Sequence, residues 1–214
     1  MKKGCILCLL ISVISLPLIA QNIIYSNLKE LLTQHGDTTA VLRVEKRSRN
    51  QIVLTGGADY RITAGDDESM CRRLKKRCFA VRDEKGNLYL NCRKLRYKKL
   101  RFGAWYAPAV QLGKNIYFCA MPLGSVIGGN FVEEDDVKLG GNIGDALAAS
   151  SLVTKRVCYE LNGETGKVDF LGKDRMLQLL KNYPELRQAY LKDDSQEAKH
   201  TFKYLLELQN KQKE

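Results

Sequence analysis

Thirteen lysines and arginines crowd residues 71–101: Arg72, Arg73, Lys75, Lys76, Arg77, Arg82, Lys85, Arg93, Lys94, Arg96, Lys98, Lys99 and Arg101. Only Asp83 and Glu84 oppose them, and the local net of +11 equals the formal net charge of the whole 214-residue chain. The basic character is therefore one region rather than a property of the surface at large. Ammonium and guanidinium groups at this density attract polyanions and bind oxyanions through charge-assisted hydrogen bonds, an attraction that salt screens. The candidate anion-contacting residues are Arg72, Arg73, Lys75, Lys76, Arg77, Lys94, Arg96, Lys98 and Arg101, with the aromatic rings of Tyr97, Trp105 and Tyr106 close by in sequence. A competing explanation carries equal physical sense: charges along an edge strand keep it in water and prevent pairing with another chain.

Covalent and acid–base chemistry is poorly provided for. The chain has two histidines, His35 and His200, and lacks H-E-x-x-H, G-x-S-x-G, Walker and dinucleotide patterns. Cys119 and Cys158 each sit in an apolar strand-like run, where a thiol is an inert core group, so neither makes a strong nucleophile with His200. The carboxylate pairs Asp66/Asp67 and Glu133/Asp136 fall in polar loops without calcium-loop spacing. No zinc spacing is present, and no cofactor or metal is expected. A non-enzymatic binding protein is the preferred reading. The alternative is an enzyme of unrecognised class that uses the Gly-rich stretch 124–144 as a lid.

The N-terminus bears on what the anion is. Lys2 and Lys3 precede an apolar run broken by Ser12, Ser15 and Pro17 and ending at Ala20, the pattern of a secretory signal peptide over residues 1–20. The run is short for a membrane span, which needs about 20 apolar residues; an uncleaved anchor is the alternative. Export to the periplasm or envelope makes an anionic glycan, a lipid headgroup or an acidic protein the expected partner. Nucleic acid is not expected, nor is a transmembrane segment after cleavage. Five cysteines would remain, Cys71, Cys78, Cys92, Cys119 and Cys158, and an odd number leaves at least one unpaired within the chain.

Several elements must position these groups. Runs 78–83 and 87–92 flank Glu84-Lys85-Gly86, a three-residue hairpin loop with Gly in the left-handed position. Pairing Asp83 with Asn87 sets a register in which partners sum to 170 and Cys78 faces Cys92 at a close, non-hydrogen-bonded site. A cross-strand disulfide or two buried thiols satisfy that register equally well. The following text, RKLRYKKLRF, reads as a strand with Leu95, Tyr97, Leu100 and Phe102 inward, its register slipping at Lys98-Lys99 through a β-bulge.

Elsewhere, 26–35 reads as a helix with an Asn27/Glu30 capping box and Gly36 as terminator. Strand-like runs follow at 40–47, 51–55 and 59–63, and a central strand covers 115–120. The stretch 142–152 reads as a small-residue helix suited to core packing or self-association. Runs 156–161 and 167–171 form a second hairpin, and three helices close the chain, the last with Ala198, Phe202, Leu205, Leu206 and Gln209 on one face. The whole implies one α+β domain over 21–214: a twisted antiparallel sheet of seven to nine strands, built from hairpins, with a short N-terminal helix, the small-residue helix and a C-terminal helical part (174–214) packed on one face.

The blocks RCFAVRDEKGNLYLNCRKLRYKKLRFGAWYAPA, NIYFCAMPLG, GGNIGDALAAS, KRVCYELNGETGKV, MLQLLKNYPELRQAYL and YLLEL, in this order, resemble a group of uncharacterised exported proteins of Bacteroidetes. The resemblance covers roughly residues 71–208. It implies a Gram-negative envelope location and an α+β domain, and it transfers no activity, cofactor or catalytic residue.

Overall fold

The computed structural model describes residues 21–39, 41–48, 50–52, 57–98, 100–120, 156–193 and 198–213. The expected signal peptide (1–20), the Gly-rich stretch 124–144 and the expected small-residue helix (142–152) lie outside these residues.

Ten strands form one open antiparallel sheet. They are β1 (Asn22–Tyr25), β2 (Asp37–Thr39), β3 (Arg43–Lys46), β4 (Tyr60–Thr63), β5 (Ala80–Arg82), β6 (Leu88–Asn91), β9 (Tyr106–Leu112), β10 (Asn115–Ala120), β11 (Val157–Leu161) and β12 (Val168–Phe170). The order is β12-β11-β10-β9-β6-β5-β1-β2, and the β3–β4 ribbon joins β9 where Tyr60 pairs with Tyr106. Two further strands, β7 (Arg96–Tyr97) and β8 (Leu100–Arg101), pair only with each other. The chain is therefore α+β, with a larger sheet than the seven to nine strands expected. The excess includes β1, whose four residues NIIY carry too short a pattern to read.

Strand alternation divides the core between the two faces of the sheet. One face runs through Tyr25, Ala80, Leu90, Ala107, Ile116, Phe118 and Tyr159 as one apolar layer. The other is split. Val110, Tyr117, Cys119 and Cys158 lie under the C-terminal helices α3 (Lys173–Leu179), α4 (Pro184–Lys192) and α5 (Ala198–Lys211), which contribute Met176, Leu180, Tyr204, Leu205 and Leu208. Ile24, Val81, Tyr89 and Tyr106 lie under α2 (Glu68–Lys76) through Leu74. The C-terminal helices thus close one face as expected. The buried stripe of α5 is Ala198, Tyr204, Leu205 and Leu208, however, and Leu206, expected inward, is 41% exposed.

Local chemistry explains the ends. In α1 (Leu28–Leu32), the Asn27 side chain accepts from the Glu30 N–H at 2.9 Å, and Glu30 accepts from the Ser26 N–H at 2.7 Å. The expected capping box forms with a shifted return bond: Glu30 takes the N–H of the residue before the cap, and the Asn27 Nδ2 also donates to Glu30 at 2.6 Å. The left-handed residue after the helix is Gln34 (φ 56°), not Gly36. Gly36 serves close packing instead: a Cβ there would lie 2.7 Å from the Ile24 carbonyl oxygen. Helix α2 was hidden among basic letters. Its Asp67 cap accepts from the Met70 N–H, and only Leu74 is fully buried on its inner side.

The 78–92 hairpin keeps the expected register: Ala80 pairs with Leu90, Val81 with Tyr89 and Arg82 with Leu88, all summing to 170. The Cys78–Cys92 disulfide does not form, and both are buried free thiols. The ladder stops short of them. Cys78 belongs to the turn that ends α2, its N–H donating to the Arg73 carbonyl, and Cys92 opens a 3₁₀ turn, Cys92–Lys94. Their side chains consequently join apolar clusters on opposite faces of the sheet. Burial pushes the Cys78 thiol up to about 11 and the Cys92 thiol up to about 12. The bridge lies instead between Cys119 and Cys158, direct partners on β10 and β11 with Cα atoms 4.1 Å apart.

Candidate functional site

The region 95–102 is not a bulged strand of the main sheet. Tyr97 pairs with Leu100, so the chain reverses across two residues, with Lys98 in the left-handed region (φ 52°). The alternation expected across the slip survives because a two-residue turn restores facing in the same way. Leu95, Tyr97 and Phe102 are buried, and Phe102 and Tyr97 pack on Tyr159 at 4.7 and 5.6 Å between ring centroids. The hairpin is therefore a small lid of apolar side chains on the continuous core face. Lys94, Arg96, Lys98 and Arg101 project outward, exposed. Arg96 and Arg101 are direct cross-strand partners.

Like charges placed opposite each other in a ladder repel and destabilise the pair. Among the described residues, none of Lys94, Arg96, Lys98 and Arg101 forms an ion pair with a carboxylate.

The second concentration of positive charge surrounds Trp105, where the hairpin leads into β9. The indole is half-buried, and Trp105 has φ 86°, a conformation that costs a bulky residue energy. Its backbone is held on two sides. The Trp105 carbonyl accepts from the Cys92 N–H at 3.0 Å, and the Ala104 carbonyl accepts from the Ala58 N–H at 3.3 Å. The latter contact requires Gly57, where a Cβ would lie 2.2 Å from the Ala104 oxygen. Three cations stand within 6.0 Å of the ring centroid: Arg47 at 5.2 Å, Arg61 at 5.8 Å and Lys75 at 6.0 Å. Arg47 is buried and donates to the carbonyls of Ala58 (2.7 Å) and Gln51 (2.9 Å). Beside it, Asp59 pairs with Arg156, and burial raises the Asp59 carboxyl above its ordinary value against the pull of that arginine.

Lys75 reaches the indole because the end of α2 is pinned to the sheet. The Leu74 carbonyl accepts from Tyr106 Oη (2.7 Å) and Asn91 Nδ2 (3.1 Å), and Asn91 also donates to the Cys78 carbonyl (2.9 Å). These are helix-terminal carbonyls without intrahelical partners, satisfied here by buried side chains. The same Asn91 accepts from the Arg93 N–H, fixing the turn that carries exposed Arg93 and Lys94.

The nine residues expected to contact an anion therefore do not form one patch. Lys94, Arg96, Lys98 and Arg101 share the outer side of the hairpin, over one face of the sheet. Arg72, Lys76 and Arg77 are exposed on α2, which covers the other face. Their positions near the C-terminal end of that helix suit the helix dipole. Arg73 is engaged structurally, paired with Asp37 and donating to Ser26 Oγ at 3.3 Å. Lys75 alone connects the helix to Trp105. Arg47 and Arg61 escaped sequence reasoning because they come from a ribbon distant in the chain. Their only signal was an excess of basic residues in 43–61.

One further polar cluster lies at the C-terminal helices. Glu160 on β11 is buried and accepts from Arg175 Nε (2.8 Å) and Nη2 (2.8 Å), Tyr117 Oη (3.0 Å) and Asn115 Nδ2 (2.6 Å). Burial alone would raise its pKa, but these donors outweigh burial and hold the carboxyl below its ordinary value. Every carboxylate oxygen is occupied by protein donors, so the cluster staples α3 to the sheet. No group of three His, Cys, Asp or Glu among the described residues could hold a metal ion. No helix among them is long and apolar enough to cross a membrane.

A family model described as a family of unknown function, DUF6563, matches residues 23–212, and the chain belongs to that family. No curated protein and no solved structure matches it.

Proposed function

We propose that this chain is an exported, non-enzymatic protein of the periplasm or envelope that holds an anionic partner, such as an acidic glycan, a lipid headgroup or an acidic protein surface, on its basic hairpin. The observation that carries the reading is the direct cross-strand pairing of Arg96 with Arg101, with Lys98 in the turn between them and no carboxylate partner for any of the three among the described residues. A hairpin kept only for solubility gains nothing from opposing two guanidinium groups, since alternating signs would serve as well. An oxyanion between them converts the repulsion into two charge-assisted contacts. The rigid apolar underside, with Tyr97 and Phe102 locked on Tyr159, holds the outward charges in place. The Cys119–Cys158 bridge supports the exported reading, because such bonds persist in oxidising compartments.

The test is binding to lipopolysaccharide and to inorganic polyphosphate by the full chain and by a variant with Lys94→Glu, Arg96→Glu and Lys98→Glu. Wild-type binding that weakens with salt, and its loss in the variant, is the expected result. Undiminished binding by the variant to both probes rules the hairpin out.

A further inference from the structure

The Trp105 cluster adds a feature that charge alone does not explain. Arg61 has an acid directly across the ladder, Glu45, yet forms no ion pair with it; the guanidinium stands over the indole. Lys75, exposed at the end of α2, approaches the same ring. Buried Arg47 lies 5.2 Å from the same ring centroid, its guanidinium fixed by the two carbonyls. The fold thus maintains a strained backbone at Trp105 in order to present a half-buried aromatic ring with two surface cations at it.

We infer that Trp105, Arg61 and Lys75 form a subsite for an acidic sugar, in which C–H groups of the sugar touch the exposed part of the indole and the anionic substituent meets Arg61 and Lys75. This rests on the hairpin reading and narrows it to an acidic polysaccharide. A membrane-binding tryptophan projects from the surface to insert among lipids; this one is set into the surface and held by hydrogen bonds from Cys92 and, through Ala104, from Ala58. An acidic peptide would find charge here but no use for a fixed ring. A sugar carrying a carboxylate, sulfate or phosphate uses both parts. Trp105 lies four positions after Arg101, so a chain molecule on the hairpin reaches the indole within about 14 Å of backbone span.

Trp105 is the only tryptophan, so its emission reports on the subsite directly. The full chain is titrated with oligogalacturonate, an acidic sugar polymer, with inorganic polyphosphate, a polyanion without rings, and with phosphatidylglycerol vesicles. Oligogalacturonate is expected to change the emission and polyphosphate to bind with little change; by titration calorimetry, which needs no tryptophan, Trp105→Ala is expected to weaken oligogalacturonate about tenfold while leaving polyphosphate within twofold. Because Trp105→Ala removes packing, Arg61→Ala with Lys75→Ala, both at exposed positions, is measured in parallel and is expected to show the same selectivity. Equal loss of both probes, no loss of either, or an emission response specific to the vesicles overturns the subsite and leaves the hairpin reading standing. Failure of the hairpin variant to lose polyphosphate overturns the hairpin reading instead.

Discussion

Reducing the Cys119–Cys158 bridge should cost this protein a large part of its stability. The two cysteines are 39 residues apart in sequence, and the bridge closes a loop of that size in the unfolded chain. Loop-closure entropy for such a loop is about 13 cal/mol/K, or about 4 kcal/mol at 25 °C. For a domain of this size that corresponds to a fall of roughly 8–16 °C in the unfolding temperature. Both sulfurs lie under α5, where the Ala198 carbonyl is 3.4 Å from Cys158 Sγ, so reduction is expected to leave the native contacts in place. The perturbation therefore acts on the unfolded state. Urea unfolding followed by Trp105 emission, with and without a phosphine reductant, measures the difference, and mass spectrometry after alkylation in denaturant counts the thiols. Without reductant, Cys71, Cys78 and Cys92 should label and Cys119 and Cys158 should not. Labelling of all five, or an unchanged midpoint once reduction is demonstrated, would refute the reasoning.

Three other outcomes follow from particular contacts. Asn91→Ala leaves the Cys78 carbonyl without its buried donor and should destabilise the fold by about 1–3 kcal/mol, read from the shift in urea midpoint. Glu160 has a folded pKa below its ordinary 4.5, so its stabilising contribution is complete above that value and disappears as pH falls through the folded pKa. The stability gap between wild type and Glu160→Gln should accordingly be present at pH 7 and shrink on acidification below about pH 4; a gap independent of pH would contradict the ion pair with Arg175. Gly163→Ala places a Cβ 1.8 Å from the Lys114 carbonyl oxygen and should cost roughly 1–3 kcal/mol by forcing the 162–166 loop off the β9–β10 turn, measured by thermal unfolding.

What could be read from the letters divides along the range of the interactions. Two hairpins were legible, since Lys85-Gly86 and Asn162-Gly163 mark their turns, and for the first the register with its 170 sum follows by counting. Inward and outward residues of 95–102 were legible from alternation, although a one-residue slip at Lys98-Lys99 looks the same for a bulge and for a reversal. The Cys119–Cys158 pair was not legible, because it depends on β10 and β11 being neighbours across a connection of more than thirty residues. Of the two states left open for Cys78 and Cys92, the buried thiols prevail for a local reason: α2 ends at Lys76, and its closing turn rotates Cys78 to the opposite face from Cys92. The Trp105 cluster joins Arg47, Arg61 and Lys75 from three elements, and no spacing rule connects them. Asn91, which holds that arrangement, reads in sequence as an ordinary strand residue, and Tyr106, expected beside the basic groups, serves it instead through the bond from its hydroxyl to the Leu74 carbonyl.

The central claim is that the hairpin's outward charges make an anion-binding surface. The most direct measurement is the salt dependence of polyphosphate affinity for the full chain and for a variant with Arg96→Gln, Lys98→Gln and Arg101→Gln. Each cation that releases a counterion contributes close to one unit of slope in a plot of log affinity against log salt, so the variant should lose about three units. An unchanged slope in a folded variant would show that the hairpin's charges only keep its surface in water.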